Sequence, residues 1–304
     1  MTDKSAKPLN GIDRYAVIGN PIAHSKSPQI HAAFAKQTGQ NISYQPILAP
    51  LDGFATTVRD LIAQGYKGVN VTVPFKFEAF ALCDELTERA EAAGAANTLK
   101  FSKKTIIGDN TDGVGLVRDL TLNYLHALQP QGLSPQNIPA EADYSCLKGA
   151  QILVLGAGGA ARGAMLPLIN AKPASILVAN RTSDKAQHLV QHFAKNALCP
   201  ITACEITQLK PPFFLQAFDV IINATSTGLN DIALLIDDAA FSQKTLAYDM
   251  MYGRETPFMA QARANNAQVA DGLGMLVEQA AEAFYVWRGV RPETAPVIKM
   301  LRPK

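Results

Sequence analysis

The feature that most constrains the fold is an apolar strand signal that runs into a glycine-rich loop and then into a helix signal. Residues 152–155 are all aliphatic, and residues 156–163 contain four glycines and three alanines. Gly156, Gly158 and Ala161 have the spacing of a dinucleotide-binding fingerprint, in which small residues let backbone N–H groups meet a pyrophosphate at a helix N-terminus. We therefore predict a Rossmann-like, nucleotide-binding unit. The alternative is a tight turn that uses glycine for backbone reasons alone.

The end of the next predicted strand indicates which nucleotide binds. An acidic residue there would accept a hydrogen bond from the adenosine ribose 2′-OH and favour NAD. This chain has Asn180, Arg181 and Thr182 instead, with Lys185 nearby. Because a guanidinium and small hydrogen-bonding side chains suit a 2′-phosphate, we predict that the cofactor is NADP. The alternative is an ordinary exposed arginine after a strand.

Strand and helix signals alternate along the rest of the chain, as is typical of doubly wound α/β proteins. The predicted strands are residues 15–19, 70–76, 97–99, 105–108, 152–155, 176–179, 220–222 and 246–248, and the predicted helices are residues 28–39, 52–65, 78–93, 185–196 and 275–289, with one more ending near residue 171. The third and fourth strands are expected to form a hairpin. Residues 126–145 contain three prolines and predict a long surface loop.

Composition excludes several classes of function. The chain of 304 residues is long enough for two domains, and 28 Lys and Arg nearly balance 26 Asp and Glu. With no basic block, neither nucleic acid nor a membrane is an expected partner. The four cysteines show no CxxC pairing, the first 13 residues lack an apolar signal segment, and no run reaches transmembrane length. We therefore expect a cytoplasmic protein with free thiols and no metal site.

A heptapeptide that begins at Asn70 predicts a strand that ends in a binding crevice. Its alternation puts Asn70, Thr72 and Lys76 on one face of the strand. Val73 and Phe75 then belong to the core on the other face. Strands that end in convergent polar groups line crevices in α/β enzymes. The alternative is an amphipathic edge strand with a solvated lysine.

Ser25 and Ser27 lie at the start of the first predicted helix, which has Pro28 at its first position. Ser27 is the natural N-cap of that helix. Because N–H groups and the helix dipole favour an anion there, we predict an anion site at the two serines. Capping alone is the alternative role of Ser27.

These segments, taken in order, resemble the shikimate dehydrogenase family. The matching segments are residues 19–28, 70–76, 93–98, 108–113, 156–163, 180–182, 223–226, 249–252 and 271–276. The resemblance covers the chain from about residue 15 to residue 301. It implies the reversible, NADPH-dependent reduction of 3-dehydroshikimate to shikimate, an oxidoreductase step of chorismate and aromatic amino acid biosynthesis.

The resemblance makes Lys76 and Asp112 the catalytic pair. Hydride delivery to a ketone builds negative charge on oxygen, so a nearby proton donor must neutralise it. The ammonium of Lys76 can do that, and the carboxylate of Asp112 can orient the lysine or share the proton. The sequence leaves the division of roles open. A surface ion pair between the two residues, and proton transfer by His24, are the alternatives.

The resemblance also implies the remaining site residues. Ser25 and Ser27 match the residues that hold the substrate carboxylate. The residues that bind the ring hydroxyls in the family are matched here by Asn70, Thr72, Asn97 and Gln279. Besides the fingerprint and the second-strand residues, the implied cofactor contacts are Gly159, Ala160, Thr225, Met250, Tyr252 and Gly272.

A discontinuous first domain is implied as well. Residues 1–113, completed by residues 251–304, are expected to form an α/β substrate-binding domain with a mixed sheet. Residues 114–250 are expected to form the Rossmann-like NADP-binding domain, after which the C-terminal helices return to the first domain. The chain departs from the family in a longer loop at residues 126–145, in the atypical segment 229–243, and in one missing residue within 252–257. The last two bear on turnover and domain closure.

Three rival functions remain at this point. A relative that also oxidises quinate often accepts NAD, which Arg181 disfavours. A regulatory NADP-sensing module without catalysis would lack Lys76 or Asp112. A folate-linked dehydrogenase of related architecture is disfavoured by the anion site at Ser25 and Ser27. Whether the protein is a monomer or a homodimer is not determined by the sequence.

Overall fold

The computed structural model describes residues 11–102, 105–128, 144–211, 213–214, 216–225, 227, 232–234 and 236–302. Most of the predicted loop at 126–145 and part of the atypical segment 229–243 therefore lie outside the described residues. The described residues form two compact units. One lies within Met1–Thr111 and Ala280–Glu293, and the other within Asp112–Gln279 and Thr294–Lys304.

The first unit contains a six-stranded mixed sheet, which confirms the predicted fold class. Its strands are β1 (Asp13–Gly19), β2 (Ile42–Leu48), β3 (Tyr66–Val71), β4 (Glu85–Leu86), β5 (Thr98–Ser102) and β6 (Thr105–Asp109), in the order β2-β1-β3-β5-β6-β4. β1 pairs in parallel with β2 and β3, and β5 is antiparallel to β3 and β6. The antiparallel pair β5–β6 is the predicted hairpin. The helices are α1 (Ser27–Thr38), α2 (Phe54–Ala63), α3 (Lys76–Leu82) and α4 (Glu88–Ala93).

The second unit contains a six-stranded parallel sheet. Its strands are β7 (Gln151–Leu155), β8 (Ser175–Asn180), β9 (Ile201–Glu205), β10 (Val220–Asn223), β11 (Leu246–Asp249) and β12 (Gln268–Asp271), in the order β12-β11-β10-β7-β8-β9. The helices are α5 (Asp112–Leu128), α6 (Gly159–Asn170), α7 (Ser183–Phe193), α8 (Pro257–Ala264) and α10 (Ala295–Leu301). A further helix, α9 (Leu273–Arg288), begins in this unit, and its residues from Ala280 onward belong to the first unit. The central strands are nearly all aliphatic because helices cover both faces of a parallel sheet.

The compact units divide the chain at residues other than the predicted domain boundaries. Of the predicted returning segment, residues 251–304, only Ala280–Glu293 packs in the first unit. The stretch before it contributes β12, which pairs with β11 in the parallel sheet. Compact units reflect packing and not function, so the assignment of a substrate domain and a cofactor domain stays a prediction.

The predicted strand through Lys76 is wrong beyond Val71. The backbone turns after β3, where Phe75 N donates to Thr72 O at 3.0 Å, and Lys76 begins α3. Phe75 is buried as predicted, but Val73 is 67% exposed. Pro74 has no N–H to offer a ladder, which favours the end of the strand here.

The single helix predicted over residues 78–93 is also wrong, because the segment contains two helices. α3 ends at Leu82, and α4 begins after Thr87, whose hydroxyl accepts from Ala90 N at 3.3 Å. Between them, the Asp84 carboxylate accepts from Ile106 N at 2.7 Å. The pairing of β4 with β6 and the cap at Thr87 replace the helical hydrogen bonds of this stretch.

Candidate active site

One edge of the mixed sheet gathers the predicted substrate-binding residues of the first unit. β1 and β3 run in parallel, with Ile18 opposite Val71, and β5 runs the other way, with Asn70 opposite Thr98. The ends of β1 and β3 and the start of β5 therefore share an edge. Six of the predicted residues lie near this edge. Ser25 and Ser27 come after β1, Asn70, Thr72 and Lys76 lie at or after the end of β3, and Asn97 comes just before β5.

Two buried amides form the centre of this edge. Asn70 Nδ2 donates to Asn97 O at 3.2 Å and to Thr98 Oγ1 at 3.0 Å. Asn97 Nδ2 donates to Thr111 Oγ1 at 3.0 Å, and its Oδ1 accepts from Thr111 N at 2.9 Å. These bonds hold both side chains in one orientation, which is what a preorganised binding site requires.

Tyr44 extends the same network, and sequence reasoning missed it. Its hydroxyl donates to Asn70 Oδ1 at 2.8 Å, and the Ser27 side chain lies beside it. Burial raises the pKa of Tyr44 well above its ordinary value, so the hydroxyl keeps its proton and remains a donor. The residue lies in β2, an edge strand that no sequence prediction included because Pro46 and polar neighbours obscure its alternation.

The prediction that Ser27 is an N-cap is wrong. Lys26 occupies the N-cap position of α1, its side chain makes no capping bond, and Ser27 is the first helical residue. The buried Ser27 side chain lies beside the Tyr44 hydroxyl instead. Half-buried Ser25 accepts from Ser27 N at 3.3 Å through Oγ. Both serines remain at the start of α1, where the helix dipole favours an anion.

The two predicted catalytic residues begin helices. Half-buried Lys76 starts α3, and its carbonyl accepts from Ala96 N at 3.0 Å, next to Asn97. Asp112 starts α5 in the second unit. Gly115, one turn later, packs so closely on Gln279 that a Cβ there would lie 2.6 Å from Gln279 N. Residues i and i+3 share a helix face, so Asp112 lies on the face of α5 that packs on Gln279 through Gly115.

The predicted cofactor contacts lie at one edge of the parallel sheet. All strands of this sheet run the same way, so their carboxyl ends meet there, as in nucleotide-binding α/β folds. The residues that end or follow β7, β8, β10, β11 and β12 are Gly156–Ala161, Asn180–Lys185, Thr225, Met250 with Tyr252, and Gly272. Five neighbouring strands thus bring together residues that are far apart in sequence.

The glycine-rich loop is shaped for close approach to its backbone. Gly156 has φ +101°, a conformation that side chains disfavour. Gly158 and Gly159 are exposed, and a Cβ at either position would meet nothing within 4 Å. α6 begins at Gly159, so its first N–H groups have no acceptor within the helix. A pyrophosphate fits this helix start.

The loop after β8 offers positive charge. Arg181 and Lys185 are exposed at the start of α7, and Asn180 Nδ2 donates to Thr182 O at 2.9 Å, which orders the loop between them. Two cations beside a helix start fit a 2′-phosphate. The described chain therefore fits NADP both at the glycine loop and at the second strand.

Two buried polar residues hold the other loops that carry predicted cofactor contacts, and sequence reasoning did not assign them this role. Asn223 Nδ2 donates to Asp249 Oδ2 at 3.0 Å, and Asn223 Oδ1 accepts from Thr225 Oγ1 at 2.7 Å. Asp249 Oδ1 accepts from Met251 N at 2.9 Å. The available signal was a polar residue at the end of each of two buried apolar strands, β10 and β11.

Gly272 is required by packing. A Cβ at this position would lie 2.2 Å from Met250 O. The turn after β12 can therefore pack on the loop after β11 only with glycine there.

Known proteins match this chain segment by segment. The profile of the shikimate dehydrogenase substrate binding domain matches residues 17–99, and that of shikimate / quinate 5-dehydrogenase matches residues 139–235. The profile of the shikimate 5′-dehydrogenase C-terminal domain matches residues 272–302. Among the described residues, no helix is long and apolar enough to cross a membrane.

Similar proteins cover nearly the whole chain. The NADP(+) shikimate dehydrogenase of Methylobacillus flagellatus is 53% identical, over 96% of this chain and 99% of that protein. An Ael1 enzyme from Pseudomonas putida superimposes with a TM-score of 0.84 at 41% identity, over 96% of this chain and 99% of that one. Shikimate 5-dehydrogenase from Thermus thermophilus, solved with NADP(H) and shikimate, superimposes with a TM-score of 0.75 at 31% identity, over 94% of this chain and 97% of that one.

The two sheets and their loops define the class: a two-unit α/β protein with a Rossmann-like dinucleotide-binding sheet. Within that class, the full-length similarity is decisive. This chain belongs to the shikimate dehydrogenase family.

Proposed function

We propose that this protein catalyses the reversible, NADPH-dependent reduction of 3-dehydroshikimate to shikimate, a step of chorismate and aromatic amino acid biosynthesis. The observation that carries the proposal is the 53% identity, over nearly the full length, to an NADP(+) shikimate dehydrogenase. The buried amide network and the loops at the carboxyl ends of the parallel strands support it.

The substrate is proposed to bind at the edge of the mixed sheet. Ser25 and Ser27, at the start of α1, bind its carboxylate. The ring hydroxyls are bound by Asn70, Thr72, Asn97 and Gln279. Because the side chains of Asn70 and Asn97 are already oriented by their hydrogen bonds, little ordering is needed when the ring binds.

Proton transfer is assigned to Lys76 and Asp112. When the substrate carbonyl is reduced, its oxygen gains negative charge, and the Lys76 ammonium donates the proton that neutralises it. In the reverse direction, the lysine takes that proton from the hydroxyl. Asp112 orients the lysine or shares the proton. His24 is exposed and is not assigned a role.

NADP is the proposed cofactor, and when bound it supplies or accepts the hydride. Its pyrophosphate would be held at the glycine loop by Gly156, Gly158, Gly159, Ala160 and Ala161. The 2′-phosphate would be held after β8 by Asn180, Arg181, Thr182 and Lys185. Thr225, Met250, Tyr252 and Gly272 would line the nicotinamide end.

The remaining assignments follow from the same proposal. Residues 1–113 with 251–304 act as the substrate domain, and residues 114–250 act as the NADP domain. The protein works in the cytoplasm as a monomer or homodimer, on a small-molecule substrate, without nucleic acid or membrane partners.

One assay tests the function. The purified protein is given shikimate or quinate with NADP or NAD, and formation of the reduced nicotinamide is followed by absorbance. We expect the highest kcat/KM with shikimate and NADP. Absence of turnover with shikimate and either cofactor would contradict the proposal.

Quinate oxidation is the second candidate, because the profile that matches residues 139–235 covers shikimate and quinate enzymes together. Quinate has an additional hydroxyl on the carbon that bears the carboxylate, so the space beside Ser25 must admit it. Comparable kcat/KM for quinate and shikimate in the same assay would favour this candidate.

A further inference from the structure

A cluster of four charged residues in the first unit lies outside the proposed substrate and cofactor contacts. Arg89 of α4 forms two bonds with Asp109 at the end of β6, Nε to Oδ1 at 2.6 Å and Nη2 to Oδ2 at 2.7 Å. Arg89 Nη1 donates to Glu282 Oε1 of α9 at 2.9 Å. Arg291 Nη1 donates to Glu282 Oε2 at 2.5 Å. We call these four residues the Arg89 cluster.

The two carboxylates of the Arg89 cluster are buried, and each is paired with an arginine. Asp109 is 3% exposed and Glu282 9% exposed. Asp109 Oδ1 also accepts from Thr87 Oγ1 and from Asn110 N, both at 2.7 Å. Burial by itself would raise the pKa of Asp109, but the hydrogen bond and charge of Arg89 outweigh it and hold the pKa below its usual value. The buried carboxylate is therefore ionised because Arg89 faces it.

The cluster is connected to the proposed active site through the backbone. Asp109 O accepts from Asn97 N at 3.0 Å, and Asn110 Nδ2 donates to Ala95 O at 3.0 Å. The next residue, Thr111, binds the Asn97 side chain, and Asp112 follows it. Asp109 thus sits at the start of a four-residue segment that ends at a proposed catalytic residue.

We propose that Arg89 is a positioning residue. It fixes the position of Asp109, and through Asp109 it fixes the orientation of Asn97 and the backbone segment that leads to Asp112. The inference rests on the proposed function, since it concerns the same reaction. A bidentate guanidinium–carboxylate contact has a defined geometry, unlike a lysine–carboxylate contact. A small displacement of reacting groups is costly to the rate even when binding persists.

The test compares Arg89→Met and Arg89→Lys with wild type. A matched control is Arg263→Met, which removes an arginine whose Nε is 2.9 Å from Glu255 Oε1 in an ion pair that is 61% exposed on the arginine side. For each protein, kcat, the KM for shikimate, the KM for NADP, the melting temperature and the pH dependence of kcat are measured. Wild-type turnover tests the proposed function, whereas only the variants test the role of Arg89.

Arg89→Met should lower kcat by about tenfold to a hundredfold while the KM for NADP stays within about twofold. Arg89→Lys should recover part of the loss, and Arg263→Met should behave as wild type. Without the guanidinium, buried Asp109 takes up a proton at higher pH, with Glu282 and Arg291 as the remaining charges of the cluster. The acid limb of kcat should therefore move to higher pH in Arg89→Met.

The proposal is overturned if Arg89→Met melts at a lower temperature but keeps its kcat within about twofold below the melting range, because the cluster is then only structural. A loss that falls equally on kcat and on NADP binding would overturn it too. If Arg89→Met does not fold, the same measurements on Glu282→Gln test the proposal. That variant keeps the side-chain shape and should show a smaller loss of kcat with an unchanged KM for NADP.

Discussion

The two sheet edges that carry the proposed site are built in opposite ways. At the edge of the mixed sheet, two of the side chains proposed to bind substrate, Asn70 and Asn97, are themselves buried and hydrogen bonded. At the edge of the parallel sheet, the buried polar residues Asn223 and Asp249 hold the loops, while the proposed contacts to the phosphates include exposed backbone at Gly158 and Gly159 and the exposed cations Arg181 and Lys185. Substrate recognition should therefore depend on side-chain identity, and cofactor binding on backbone shape and charge.

The largest effect should come from Lys76→Ala. The proton is needed mainly in the transition state, so kcat should fall by about a hundredfold or more, while the KM for shikimate changes by only a few-fold. Steady-state kinetics measure both. Lys67→Ala, at an exposed lysine of β3, is the matched control and should not change either constant. Near-normal turnover of Lys76→Ala would remove the lysine from the mechanism.

The next effect concerns the charge beside the cofactor. Arg181→Ala should weaken NADP by about tenfold, since the contact is exposed and screened, and should barely change NAD, which has no 2′-phosphate. Arg181→Asp should lower the NADP-to-NAD preference further because a carboxylate repels the phosphate and can accept from a free 2′-OH. kcat/KM with each cofactor is the measurement. An unchanged ratio would assign the preference to another residue, with Lys185 as the first candidate.

Ser25→Ala should weaken only the binding of substrate at the edge of the mixed sheet. A hydroxyl bound to a carboxylate is worth about 1.5–3 kcal/mol, so the KM for shikimate should rise by about tenfold or more. The KM for NADP should stay nearly constant. An equal rise in both constants would mean that the change disturbs the start of α1, and the contrast between the two edges would lose its support.

The smallest effect concerns the melting temperature, and it distinguishes two glycines at the edge of the parallel sheet. A Cβ at Gly272 would meet the backbone oxygen of Met250, so Gly272→Ala should lower the melting temperature by about 2–9 °C. Gly158→Ala places its Cβ in open space and should shift the melting temperature by about 1 °C or less without cofactor. Thermal melts of the ligand-free proteins measure both. Equal melting temperatures would contradict the view that packing between loops shapes this edge.

The sequence predicted the local structure at the edge of the parallel sheet better than that at the edge of the mixed sheet. The glycine loop and the residues after β8 each lie in one short segment whose local pattern has a direct structural meaning. The substrate edge depends on residues that the pattern did not reveal. Tyr44 lies in an edge strand interrupted by Pro46, and the turn between Thr72 and Lys76 replaced the predicted end of a strand.

By itself, the sequence determined the α/β class, the glycine-rich turn and the family, because these follow from local periodicity and from motifs that keep their order along the chain. The tertiary structure alone decided that Tyr44 binds Asn70, that Asn223 and Asp249 hold the loops after β10 and β11, and that Arg89 reaches Asp109 and Glu282. The physical reason is that each of these contacts joins residues from different strands or helices. Such pairs become neighbours only after strand order and register are set, and no local pattern encodes which buried donor meets which acceptor.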